Sequence, residues 1–515
     1  MKSGRCQTIA GLAFGAAGLI ATPTGVAADP SLEAIQTIVV LYAENRSFDH
    51  LFGGFPGADG LQNALAKPVP QLDRDGSPLL ELPPIWGGLT KSQSSSHPPV
   101  VTQEQTAQLP NAAFAIDSRF NLSPAVETRD LVHRFYQNQM QINGGKNDRF
   151  VAYGDSGALV MGHYDGSKLK MWDVAKRYVL ADNFFMGAFG GSFMNHIYLS
   201  CACVGYYPKA DESPAASEIS LVEKDGVSLT LVPGSPKSAL QGVAHFANDR
   251  QLTPDFHAVN TMQPPYQPSS VPPARGGDPR FADPNSSQVL VPQTQDTIGD
   301  LLIESGVKWA YFSGAWKATL DGTKYTPSPD FQYHHQPFNY FASFAPNSAA
   351  RAEHLRDGGL NGIKFFKAID SGALPPVTFY KPQGNLTEHS GYADIAAGDE
   401  HLADLVAHLE KSPQWPHMVV IVTYDENGGF WDHVAPPKAD RWGPGMRIPA
   451  IIISPFAKRG TVDHTLYDTG SILRFITRRF DLPLLPGLKL RDDAMAAAGS
   501  GQMGDLTAAL DLPPK

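Results

Sequence analysis

The chain has 515 residues, 42% of them hydrophobic, with 48 glycines and 43 prolines; that is enough apolar material for a large core beneath long ordered loops, and too much for a disordered chain. Its formal net charge of -10 argues against a nucleic-acid partner, which would favour a basic face, and no run of like charges is long enough to form an interaction tail. The length allows three average domains or one elaborated α/β domain; a single catalytic domain over 29–515 is expected here.

The chain opens with the features of an export signal. "MKSGR" supplies positive charge, "IAGLAFGAAGLIA" an apolar stretch, and "GVAADP" small residues before a cut after Ala28. Residues 1–28 are therefore set apart from the fold, and a periplasmic or extracellular protein is expected. The apolar stretch is shorter than the ~20 residues that a membrane span needs, and nothing downstream is longer, so no stable transmembrane anchor is expected.

The first element is a buried strand, "TIVVLYAEN", and it runs directly into "ENRSFDHLFGG". Ending an apolar run with a carboxylate, an amide, a guanidinium and a hydroxyl points to a bound group, because each enclosed polar group left unpaired costs about 1–3 kcal/mol. Residues 64 to 113 form a Pro- and Ser-rich loop, either a functional cover or a plain surface excursion. "RYVLADNFF" (177 to 185) is the next strand. "MGAFGGSFMNH" (186 to 196) follows, in which Gly187, Gly190 and Gly191 let backbone approach a ligand and Ser192 opens a helix. Read alone, Ser192 is better taken as an ordinary helix N-cap than as a ligand-facing hydroxyl.

Cys201 and Cys203, in "LSCACVG", read as separate small buried side chains, since a bridge two residues apart closes a very tight ring. A second Pro-rich loop runs from 254 to 294. After it come a helix, "DTIGDLLIESG" (296 to 306), and strands "KWAYFSG" (308 to 314) and "PVTFYK" (376 to 381). A helix, "DEHLADLVAHLEKSP" (399 to 413), and strands "HMVVIVTY" and "IPAIIISP" (448 to 455) complete the pattern. Strands alternating with helices predict an α/β sandwich with a mainly parallel sheet.

"HMVVIVTY" ends at Asp425 and Glu426 as the first strand ends at Glu44 and Asn45. Open α/β sheets place ligands beyond the carboxyl ends of their strands, so the two clusters are expected to meet. Three carboxylates and an amide oxygen are hard donors for a divalent cation; the alternative is that they are caps or solvated turns. His133, His334, His335, His389 and His433 lie in loop-like settings. Histidines, a hydroxyl and metal ligands together describe phosphoryl transfer.

"ENRSFDHLFG", "GGSFMNH" and "TYDENGGFWDHV" resemble the signature segments of the bacterial phosphoesterase family that contains secreted phospholipases C and acid phosphatases. The resemblance runs in order from about residue 35 to 483. It implies an alkaline-phosphatase-like core, with Ser192 as nucleophile and as a ligand, beside Glu44, Asn45, Asp425 and Glu426, of a divalent metal whose identity stays open. It also implies that His133, His334, His335 and His389 hold the phosphate or assist the leaving group. His97 and His257 fall where the family does not align, and His433 carries no assigned role. "LVHRFYQNQMQINGGKNDRF" and "VMGHYD" are closer to the acid phosphatase branch, and the chain stops soon after "FDLPLLPGL", short of the C-terminal domains of many phospholipases in the family. The expected substrates are small phosphomonoesters, with phospholipids as the alternative; a non-catalytic phosphoryl-binding or surface protein is a third reading. A sulfatase needs a modifiable Cys or Ser followed by Pro and Arg, which neither cysteine has.

Overall fold

The computed structural model describes Met1 and residues 30–90, 100–322 and 331–512. The rest of the predicted leader, with Cys6, and His97 lie outside the described residues. Eight strands make one sheet: β1 (Thr37–Ala43), β2 (Val179–Ala181), β3 (Trp309–Gly314), β4 (Leu355–Gly359), β5 (Val377–Lys381), β6 (Met418–Tyr424), β7 (Ala450–Ile453) and β8 (Thr461–Asp463). Their order across the sheet is β4-β3-β5-β1-β6-β7-β2-β8. Only β7 runs against its neighbours, antiparallel to both β6 and β2; the pairs β1–β5, β1–β6, β3–β4, β3–β5 and β2–β8 are parallel. The chain has an α/β fold with a mostly parallel sheet, as its sequence pattern predicts.

β1 and β6 sit centrally because every residue in them is apolar or small enough to be buried on both faces. The edges differ. β4 is "LRDGG" and β8 is "TVD", half-buried polar strands with no hydrophobic run, and the sequence pattern does not show either. The predicted strand "RYVLADNFF" divides in two: Val179–Ala181 joins the sheet, while Phe184–Phe185 pairs with Tyr467–Asp468. The break falls at Asp182, whose buried carboxylate accepts from Asp59 N at 2.7 Å and faces His464 Nδ1 at 2.9 Å.

Among the helices, α1 (Phe135–Ile142) and α2 (Ser192–Cys201) border the site. α3 (Ile298–Glu304) begins at a capping box between Thr297 and Asp300. α4 (Ile395–Leu409) starts four residues earlier than its apolar pattern suggests, because the Asp394 side chain caps Ala397 N at 2.8 Å. The 64–113 loop is tied down by the pairing of Glu81–Leu82 with Leu109–Pro110, and the 254–294 loop by the pairing of His257–Ala258 with Gly205–Tyr206. Among the described residues no helix is long and apolar enough to cross a membrane.

The expectation of two separate cysteines is corrected. Cys201 and Cys203 form a disulfide with Cα atoms 5.1 Å apart, inside the usual span of about 4.4–6.8 Å. Ala202, the C-cap of α2, makes this possible: its left-handed backbone (φ 49°, ψ 34°) turns the chain back at once, so that three residues close the ring.

Candidate active site

Register brings the strand ends together. Ala43 lies opposite Tyr424 in the parallel β1–β6 pair, and Leu41 opposite Tyr380 in the β1–β5 pair. Glu44, Asp425 and Lys381 therefore leave the sheet side by side. Glu44 N donates to Thr387 O at 2.9 Å, and Asn45 takes a left-handed backbone (φ 60°), a conformation that Asn tolerates and that functional sites often contain. Gly428 closes the loop from the other side: a Cβ there would stand 2.3 Å from Asn45 O. Asp425 Oδ1 ties the two segments by accepting from Asn45 N at 3.0 Å and Glu426 N at 2.8 Å.

Ser192 meets this cluster at its hydroxyl. Oγ is 3.0 Å from Glu44 Oε2, 3.2 Å from Asn45 Oδ1 and 3.5 Å from Glu426 Oε1. The N-cap of α2 is Gly191, and Ser192 is the first helical residue with its side chain turned inward, so the reading of Ser192 as a cap is set aside. Two glycines allow the approach. Gly190 has φ +89°, and a Cβ on Gly191 would lie 2.7 Å from His133 O, so the loop packs directly on the segment that carries His133.

The histidines come from three directions. His133 Nδ1–H donates to Leu131 O at 2.6 Å, His389 Nδ1–H to Ser390 O at 2.6 Å, and His196 Nδ1–H to Ser192 O at 2.8 Å. Each thereby turns Nε2 away from that carbonyl, as in metal-binding and proton-transferring imidazoles. His133 Nε2 is 3.5 Å from Asn45 Nδ2 and 3.7 Å from Glu426 Oε1, and His335 Nε2 is 3.0 Å from Glu44 Oε1. A pocket of about 330 Å³ opens above Ser192, lined by Asp130, His133, Thr261, His334 and His389 among others. Only the start of the 254–294 loop reaches it; His257 packs at a tilt against Trp442 instead, with ring centroids 4.8 Å apart.

Two buried residues that the sequence reading does not single out join the cluster. His196 lies in α2, one turn beyond Ser192, with its ring stacked on His335 at 4.9 Å. Lys381 forms an ion pair with Glu44 Oε1. The spacing from Ser192 to His196 was the one available clue to the first; Lys381 ends a strand as surface lysines often do.

The electrostatics follow from burial. Burial pushes the Asp425 carboxyl well above its ordinary range, and the neighbouring Glu44 adds to this; Glu426 is raised in the same way. Burial acts on Glu44 too, but His335 and Lys381 outweigh it and hold Glu44 well below the usual range. Burial also lowers His334, His335 and His196, and takes His389 down to about 4.

The residues that could hold a cation fit that task. Glu44, Asn45, Ser192, Asp425 and Glu426 are hard oxygen donors, three of them carboxylates fully enclosed. Asp425 Oδ2 is buried without any hydrogen-bond partner, and burial disfavours the charged form of both Asp425 and Glu426, a penalty that a bound cation would offset. Glu44, His196 and His335 form one further group with converging ligand atoms, and Asp130, His133 and His389 another.

A third such group, Asp49, Asp432 and His433, is already filled. The Arg447 guanidinium stands 3.1 Å from Asp49 Oδ1 and 3.1 Å from Asp432 Oδ1. His433 bridges Asp49 at 2.7 Å and Asp59 at 3.0 Å; burial disfavours its charge, but the Asp49 carboxylate outweighs this and raises it to about 9. His433 thus braces the turn after β1 and stands apart from Ser192. Arg46 works beside it, donating to Glu388 O and lying 5.3 Å from the Phe430 ring centroid. Arg447→Met should strand two buried carboxylates and cost about 3–5 kcal/mol, seen as a lower urea midpoint. Arg447→Lys should recover little of it, because one ammonium lacks the fork that reaches both acids; full stability in either variant would contradict this account.

Comparison with known proteins bears on the same residues. Residues 35–483 match the Phosphoesterase family. Phospholipase C B of Mycobacterium tuberculosis is 22% identical over 526 residues, covering 94% of this chain and 79% of that protein. Non-specific phospholipase C1 of Arabidopsis thaliana is 37% identical over 177 residues, 28% of this chain and 33% of that one. The match to non-hemolytic phospholipase C of Pseudomonas aeruginosa spans only 25% of that protein's length, at 27% identity over 28% of this chain. A solved protein of the alkaline phosphatase superfamily from Vibrio parahaemolyticus aligns with 74% of this chain and 71% of its own, at 11% identity and a TM-score of 0.32. Since the family match takes in both strand-end clusters, Ser192 and all five of the site histidines, the chain belongs to the Phosphoesterase family and is a phosphoric ester hydrolase.

Proposed function

We propose that the protein is an exported, metal-assisted acid phosphatase acting on phosphomonoesters, with residues 29–515 as one catalytic domain. The observation that carries this reading is Ser192 Oγ, set at the floor of a pocket within 3.0–3.5 Å of Glu44, Asn45 and Glu426. A divalent cation held by Glu44, Asn45, Ser192, Asp425 and Glu426 would acidify the hydroxyl and neutralise phosphoryl oxygens. Ser192, its proton released to water, attacks phosphorus through Oγ; Glu44 Oε2, 3.0 Å away and held well below the usual carboxylate range, orients the hydroxyl rather than taking its proton. The bond to the leaving oxygen breaks, and an imidazolium among His133, His334, His335 and His389 protonates that oxygen. Water then hydrolyses the phosphoserine. The Cys201–Cys203 disulfide supports export, since such bonds persist in oxidising compartments.

Relatives named phospholipase C, one of them aligned over 94% of this chain, favour a second reading in which the same residues cleave a phospholipid diester. Purified protein assayed on an aryl phosphate and on phosphatidylcholine separates the two: the acid phosphatase reading expects faster monoester turnover, and faster diester turnover would replace it. No turnover of any phosphate ester would point to a binding protein.

pH supplies a further expectation. Unperturbed histidine titrates at ~6.5, and desolvation takes His334 and His335 lower, and His389 to about 4. The imidazolium form that a phosphate dianion needs is therefore gained as pH falls, and kcat/KM should be higher at mildly acidic pH than in alkali. Stability runs the other way. The unfolded chain takes up the His389 proton first, so the metal-free protein should lose stability as pH falls from about 6.5 to about 4. An optimum well above neutrality would count against the acid phosphatase reading.

A further inference from the structure

Glu388 is 1% exposed and has a left-handed backbone, with φ 75°, a conformation that glycine adopts freely and a residue with a long side chain rarely does. Backbone outliers of this kind persist only where the surroundings enforce them, and they gather at functional sites. Three contacts enforce this one. The Tyr424 hydroxyl donates to Glu388 Oε2 at 3.0 Å, and the Arg46 guanidinium donates to Glu388 O. On another side α4 lays its backbone against the side chain: a Cβ on Gly398 would stand 2.3 Å from Glu388 Cγ. Tyr424 is the residue before Asp425 and Arg46 the residue after Asn45, so Glu388 is tied to both strand ends. Its own segment is tied again where Glu44 N donates to Thr387 O at 2.9 Å.

His389 comes next in the chain. Its ring lines the pocket above Ser192, stacked on Tyr392 with centroids 4.2 Å apart and edge-on to His133 at 5.5 Å. We propose that Glu388 is a positioning residue for the hydrolysis: its anchored side chain holds the left-handed turn, and the turn delivers the His389 imidazole into the pocket. An extended or right-handed backbone at 388 would send the chain, and the ring with it, in another direction. Glycine would take this turn without strain; glutamate locks it instead, through the bond from Tyr424. Burial, with Asp399 nearby, pushes the Glu388 carboxyl up to about 8, so the uncharged amide of Gln suits the same place. Glu388 thus acts through His389 and not on the substrate.

The inference rests on the role given to His389, and the two can fail separately. Variants would be assayed on an aryl phosphate or phosphatidylcholine, whichever wild type turns over faster, below the melting temperature of each and with circular dichroism as the check on folding. Glu388→Ala should lose about 100-fold in kcat/KM, the cost of an ångström of misplacement, because alanine neither anchors nor favours the turn. Glu388→Gly removes more atoms yet should stay within about fivefold of wild type, since glycine keeps the turn and the Arg46 bond to the backbone carbonyl. Glu388→Gln, whose amide oxygen can accept from Tyr424, should stay within about threefold. His389→Ala should lose at least ~100-fold, and adding Glu388→Ala to it should cost no more than about threefold further, the mark of one residue acting through another. Gly398→Ala carries the test if Glu388→Ala does not fold: its Cβ strikes Glu388 Cγ, so kcat/KM should fall about tenfold, and Glu388→Gly in the same chain should restore it. Near-wild-type turnover in folded Glu388→Ala or in Gly398→Ala, glycine no better than alanine at 388, or additive losses in the double variant would each overturn the role of Glu388 alone. Full activity in His389→Ala would instead remove His389 from the chemistry, and the role of Glu388 with it.

Discussion

Ser192→Ala is expected to fold normally and to lose phosphate-ester turnover by roughly four orders of magnitude or more. Both halves follow from where the hydroxyl lies. Gly191 caps α2, so the ~1 kcal/mol that an N-cap contributes is not at stake, and the urea midpoint should move little. The hydroxyl is instead committed to Glu44, Asn45 and Glu426, and deleting it removes the covalent step, leaving only slow direct attack by water. Ser192→Thr keeps an oxygen but adds a methyl group beside Gly191, where backbone is packed against His133 O; partial activity is expected. Acid quench of wild type during turnover, followed by mass spectrometry, should find phosphate on the peptide containing "GGSFMNH". Near-normal turnover in Ser192→Ala would refute the mechanism.

Asp425→Asn is expected to separate metal binding from folding. One carboxylate oxygen accepts from Asn45 N and Glu426 N, and the amide oxygen of Asn can take over both bonds. The other oxygen is buried and unpartnered, and there an NH₂ replaces a metal ligand. Cation affinity should fall by at least ~10–100-fold, the loss seen even for groups one layer away from a metal, and activity should fall with it. Metal-free Asp425→Asn should be as stable as wild type or more so at neutral pH. Burial and Glu44 raise the folded-state pKa of Asp425, so the wild-type protein loses stability as pH rises and this carboxyl is forced to ionise; the amide escapes that penalty. Thermal melts with and without added cation read both effects, because a ligand that binds only the folded state raises the melting temperature. Wild-type activity in Asp425→Asn, or an unchanged cation-dependent shift, would rule out the cradle.

Several parts of the protein are legible in the chain by itself. Thr37–Ala43 and Met418–Tyr424 are continuous apolar runs that can only be buried strands, and the acids following each stand where α/β sheets place ligands. Their polar chemistry, the glycines before Ser192 and the family resemblance together name the nucleophile and four cation ligands as expectations. The sheet's edges are not legible, because half-exposed strands such as Leu355–Gly359 and Thr461–Asp463 need no hydrophobic run. Nor is the disulfide, which depends on the left-handed turn at Ala202. Lys381 and His196 are the clearest cases of what only the tertiary structure decides. As sequence, one is a lysine at a strand end and the other a histidine in an apolar helix. Their meaning comes from the parallel register that sets Ile38 against Val377 and Val419 and from the packing that brings α2 to the same end of the sheet, where Ser192 and His196 meet Glu44. Hydrophobic periodicity records which face of a segment is buried, but the pairing of segments hundreds of residues apart is settled by how the whole core packs.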